Sequence, residues 1–183
     1  MYKKIAFAAL FALASTVASA PSMATTIIDF EGANADPYLQ DGFQVDPARI
    51  VNGNCAAGSC LALNKNEVST LTRVDGHHFT VSSFWFQLLG EKSGLTVTAF
   101  DGASLVGTLV LSEANFPHTA GQVISHLFSN ITSLVFTDSA QKGNIRIDNI
   151  NTPIPAALPL FGTGLAGLGF IARRRKAKTA AAA

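Results

Sequence analysis

The chain has 183 residues, with 13 Lys+Arg against 12 Asp+Glu for a formal charge of +1, and 48% of it is hydrophobic. Seven of the bases (Lys3, Lys4, Arg173, Arg174, Arg175, Lys176 and Lys178) lie at the two ends, so residues 25–153 hold six bases against all twelve acids. A middle segment of net charge −6 offers no basic surface for phosphates, which excludes nucleic acid as a partner.

Lys3 and Lys4 precede an apolar stretch over 5–14, and small residues follow. This is the pattern of a secretory signal peptide, with a short helical core. Two cleavage sites compete. Ala18-Ser19-Ala20 has the required small residues but sets Pro21 after the cut, whereas Ser22-Met23-Ala24 leaves Thr25 as the new N-terminus. The second is preferred, which makes 1–24 the signal peptide and engages signal peptidase and the secretion machinery.

From Thr25 onward the pattern is β. Runs rich in Val, Ile, Leu, Thr and Phe occupy 26–30, 42–45, 61–63, 68–74, 79–89, 95–100, 105–111, 123–128, 134–137 and 144–150. Asn, Asp and Gly turn signals separate them. Asp101-Gly102 between two runs predicts a hairpin, and Ser112–Asn115 a turn. In Asn144-Ile-Arg-Ile-Asp148, Ile145 and Ile147 are expected inward, with Arg146 and Asp148 outward. Nine or ten strands in one domain, placed at 25–151, predict an all-β, antiparallel two-sheet sandwich, most simply a jelly roll.

Cys55 and Cys60 flank a glycine-containing loop, and in an exported chain they are expected to form a disulfide. Trp85 lies in Ser83-Phe-Trp-Phe-Gln87. It is read as a core tryptophan because aromatics flank it, the alternative being a sugar-stacking platform. His77 and His78 are adjacent and cannot share a metal on one strand face; His118 and His126 stand in no motif. Glu31 and Asp148 are the candidate metal ligands. Hard carboxylate oxygens near joined strand ends suit Ca²⁺, the commoner alternative being two solvated surface carboxylates. No Gly-x-Ser-x-Gly, His-Glu-x-x-His, phosphate-loop or dinucleotide pattern is present, so no catalytic residue is assigned.

The C-terminal end is the most specific part of the chain. Pro153-Ile154-Pro155 is followed by an uncharged span over 156–172 and then by Arg173, Arg174, Arg175 and Lys176. A helix over that span reaches about 25 Å, close to the lower limit for crossing a bilayer, and the basic cluster holds its far end in the cytoplasm. Four glycines and the lack of a polar face argue against a buried core helix. Residues 179–183 read as a disordered Ala tail.

This tripartite end, residues 152–178, resembles the PEP-CTERM sorting signal of Gram-negative bacteria. Pro153-Ile154-Pro155 stands where that signal has Pro-Glu-Pro, as in the hydrophobic variant. The resemblance implies an exosortase as processing enzyme, a transient stay in the inner membrane through the tail, and delivery to the cell surface or the extracellular matrix of a biofilm. A second resemblance rests on the opening Ile28-Asp29-Phe30-Glu31-Gly32 and the closing Ile145-Arg146-Ile147-Asp148-Asn149-Ile150. They are similar to the edges of jelly-roll, galactose-binding-like modules that often accompany this tail, which implies adjacent first and last strands, a structural calcium nearby and extracellular polysaccharide as a partner. The expectation is a non-catalytic, exported binding protein. The alternatives are a secreted polysaccharide hydrolase and a structural protein anchored permanently in the inner membrane.

Overall fold

The computed structural model describes residues 25–32, 34–116, 120–139 and 143–153. The expected signal peptide at 1–24, the apolar span, Ile154, Pro155 and the arginine cluster lie outside the described residues, as does His118.

The described residues form twelve strands: β1 (Thr25–Ile28), β2 (Tyr38–Gln40), β3 (Phe43–Asp46), β4 (Ile50–Asn52), β5 (Ser59–Asn64), β6 (Val68–Arg73), β7 (Phe79–Leu89), β8 (Gly94–Asp101), β9 (Ser104–Ser112), β10 (Gln122–Ile131), β11 (Ser133–Asp138) and β12 (Asn144–Pro153). Ten answer to the expected runs. β2 and β4 were not expected: each has three residues, too few to show alternation, and each forms only by pairing with a longer neighbour, β3 and β5 respectively.

Two six-stranded sheets result. Sheet I runs β10-β7-β12-β5-β4, with β1 also on β12; sheet II runs β2-β3-β6-β11-β8-β9. Every pairing is antiparallel. The last eight strands stand in the order β5-β12-β7-β10 and β6-β11-β8-β9, which is jelly-roll order. Apart from the hairpins β2–β3, β4–β5 and β8–β9, consecutive strands cross between the sheets, each burying its apolar side against the opposite layer.

The period of two decides what faces inward. On β7, Val81, Phe84, Phe86 and Leu88 are buried; on β12, Ile145, Ile147 and Ile150 are. Sheet II answers with Val45, Leu71, Leu95, Val97, Leu134 and Phe136, and Phe84 meets Phe136 edge-on across the layers at 5.8 Å. Each such side chain contributes roughly 1.5–3 kcal/mol on full burial. The β8–β9 hairpin turns at Gly102, whose φ of 57° glycine adopts without strain. The expected turn after β9 is present, with Asn115 and Phe116 donating to the Ser112 carbonyl.

Thr25 at the start of β1 pairs with Pro153 at the end of β12. The strand therefore runs two residues beyond the expected boundary at 151, and Pro153 belongs to the sheet and not to a linker. A proline at a strand end costs the ladder little, since its missing N–H is asked of it nowhere else.

Candidate functional site

The solvent side of sheet I is set by register. Across its centre Val123, Trp85 and Asp148 stand in one row on β10, β7 and β12. Gln87 and Arg146 form the next row, continued by Ala62 on β5, and Ser125, Ser83 and Asn151 the row on the other side. Trp85 is half-buried on this outer side, opposite in direction to Phe84 and Phe86. The expectation of a core tryptophan is thus overturned. Strand alternation governs, and the flanking aromatics are inward because Trp85 is outward. A side chain at Gly121 would run into the indole, so the chain before β10 packs closely against it.

Arg146 is half-buried beside Trp85 and Gln87. It donates to the carbonyls of Gly53 at 3.4 Å and Ile145 at 3.1 Å, and makes no ion pair among the described residues. Burial, with the charge of Arg49 nearby, lowers its pKa from the usual guanidinium value. The face therefore combines an indole, a guanidinium, a primary amide and hydroxyls, which is a set of donors and acceptors around an aromatic surface.

One margin of the face is the loop 53–58, closed by the Cys55–Cys60 disulfide with a Cα–Cα separation of 5.5 Å. Two carboxylates hold it. Asp148 accepts from Ala56 N at 3.1 Å and Ala57 N at 3.4 Å through Oδ2, and from Asn149 N at 2.7 Å through Oδ1. Asn149, at φ 48°, begins the bulge that shifts the β12–β7 register. Glu31 accepts from Ser59 N at 3.1 Å and lies over Gly58, where any side chain would collide with its carboxylate. Glu31 is brought there by Phe30, whose φ of 57° turns the chain after β1 while its ring stays fully buried against Tyr38. Gln40 Oε1 accepts from the N–H groups of Asp29 and Phe30 and steadies this turn.

The structure thus brings Glu31 and Asp148 to one loop, as expected, but gives them a different task. Amide N–H groups of Ala56, Ala57 and Ser59 donate to them. No group of three or more His, Cys, Asp or Glu residues is placed to hold a metal ion among the described residues. As they stand, the pair does not fit Ca²⁺, which needs six to eight oxygen ligands. Asp148 is only 1% exposed, and burial pushes its carboxyl from 3.8 up to about 6; the amide bonds oppose that rise and the charge of Glu31 adds to it.

The described histidines take no part. His77 and His78 lie between β6 and β7, with His78 Nε2 2.8 Å from Asp101, and His126 packs on Phe128. The outward position of Trp85 was the feature missed, although the alternation Ser83, Trp85, Gln87 against Phe84, Phe86, Leu88 carries it.

No family model and no curated protein matches the chain. Among solved structures it is similar to the family 11 carbohydrate-binding module from Clostridium thermocellum in complex with a β-1,3-1,4-mixed-linked tetrasaccharide (18% identity, 70% of this chain, 95% of that one, TM-score 0.45). Others are a family 29 module, CBM29-2, complexed with mannohexaose (16%, 70% and 90%, TM-score 0.43) and the C-terminal family 22 module of Clostridium thermocellum Xyn10B (12%, 74% and 96%, TM-score 0.43). The ligands named there belong to those proteins.

Proposed function

We propose that the protein is an exported surface or matrix protein whose sandwich binds polysaccharide without cleaving it, the glycan lying across the outer side of sheet I over Trp85. The observation that carries this reading is the half-buried indole on the solvent side of a sheet, with Gln87, Arg146 and Ser83 beside it. A sugar ring has apolar C–H faces and a rim of hydroxyls. An aromatic surface takes the first, and amide, guanidinium and hydroxyl groups exchange hydrogen bonds with the second. In this reading the C-terminal end directs the domain to an exosortase at the membrane. The cut then falls close to Pro155, ahead of the apolar span.

A hydrolase is the second reading, because a carboxyl raised to about 6 beside a second carboxylate is how a general acid and its partner are tuned. Three amide donors and 1% exposure, however, withdraw Asp148 from a glycosidic oxygen. Binding is favoured on that ground.

Trp85 is the sole tryptophan, so its emission reports directly on the face. Titration with soluble bacterial exopolysaccharides and plant glucans should shift or quench that emission, and affinity electrophoresis should show Trp85→Ala losing retardation by at least about tenfold. Undiminished binding by Trp85→Ala would sink the site, and release of reducing ends would move the assignment to the hydrolase. For the sorting step, the surface form in the native host should have an intact mass that begins at Thr25 and ends before residue 156.

A further inference from the structure

The core is open along one edge. The hydrophobics that pack against it while only partly buried are Leu109 on β9, Ile124 on β10 and Phe116 in the connection between them. Beside this seam, Leu105, Val106 and Val110 on β9 and Val123 and Leu127 on β10 are 48–66% exposed. They flank this edge on both faces of the sandwich, Val110 on the outer side of sheet II and Val123 on that of sheet I.

Neither strand contains Asp, Glu, Lys or Arg, in a segment with twelve acids. Such charges, prolines and bulges are what blunt a free edge. β10 has two bulges. β9 has one, at Val106, but is regular from Gly107 to Ser112 and, among the described residues, pairs with β8 alone.

We propose that two copies of this chain associate by antiparallel pairing of β9 with β9, about a two-fold axis at Leu109, which joins two copies of sheet II into one sheet of twelve strands. The strand is complementary to itself in this register. Thr108 and Val110 share the outer side, opposite Thr98 and Thr96 of β8, and the axis sets Thr108 of each copy against Val110 of the other. Gly107 of each copy meets Leu111, so the small residue faces the large one. The axis stands perpendicular to the sheets and therefore also turns β10 toward its copy, which covers Ile124. No charge enters the contact, whereas an approach through the acidic remainder of the domain sets like charges together.

The test uses the full chain in detergent micelles under mild oxidation. Wild type has no free cysteine among its two to confuse the result. Thr108→Cys chains mixed with Val110→Cys chains should give a covalent dimer about tenfold above either variant alone, because identical positions lie diagonally and outside disulfide reach. Sedimentation should show the wild type as a dimer and Val110→Lys as a monomer with an unchanged circular dichroism spectrum. Absence of the mixed dimer, or equal cross-linking in every sample as association through the tail would give, overturns the proposal, as does a Val110→Lys chain that remains dimeric.

Discussion

Asp148 should make the domain less stable as the pH rises from acid to neutral. Its carboxyl titrates near 3.8 in the unfolded chain and near 6 in the folded one, so between those values the folded state holds the extra proton. Stability therefore falls with rising pH, and the contribution present below about pH 4 is lost through about pH 6. A displacement of roughly two pH units corresponds to about 3 kcal/mol at neutral pH, or about 10 °C in Tm for a domain of this size. Thermal unfolding of the wild type and of Asp148→Asn, followed by circular dichroism from pH 4.5 to 7.5, isolates this contribution from the other eleven acids. The wild-type Tm should drop across that range by about 6 °C more than the variant's, since roughly 1 kcal/mol of the contribution is already lost below pH 4.5. Parallel curves would refute the argument, because they would mean that loop amides stabilise the ionised carboxylate as well as water does.

Reducing the Cys55–Cys60 disulfide, or replacing both residues by serine, should cost about 2 kcal/mol for so short a loop, read as a lowered Tm; an unchanged Tm would show that Asp148 and Glu31 suffice to hold it. With amide donors on both carboxylates, millimolar Ca²⁺ should leave the Tm at pH 7 unmoved. A rise that disappears in a Glu31→Gln, Asp148→Asn double variant would instead establish a calcium site. Gly121→Ala should cost about 1–3 kcal/mol by overpacking and shift the Trp85 emission to the red as the indole is pushed outward; an unaltered spectrum would contradict the contact.

Much of this architecture is legible in the chain. β7 and β12 are recognisable because each alternates in clean stretches, Ser83 to Leu89 and Asn144 to Ile147, and the Gly102 hairpin because its turn chemistry is local. The disulfide is legible because the chain has just two cysteines, five positions apart on one glycine-containing loop. The aromatic neighbours of Trp85 suggest a core position, but alternation alone decides the side of a strand and sets it outward. β2 and β4 had no signal of their own, being strands only through their partners.

The sequence by itself determined the fold class, the pairing of the cysteines, and which residues of each long strand share a face, since these depend on neighbours two to five positions apart. Only the tertiary structure decided what stands beside what across the strands. The row Val123, Trp85, Asp148 joins residues up to 63 positions apart in one register, and the amides of Ala56 and Ala57 reach Asp148 over separations of 92 and 91. Asp148 points outward by alternation yet is buried, because a loop from the other end of the domain closes over it. No local pattern encodes that closure: its energy lies in contacts that exist only once both sheets have formed.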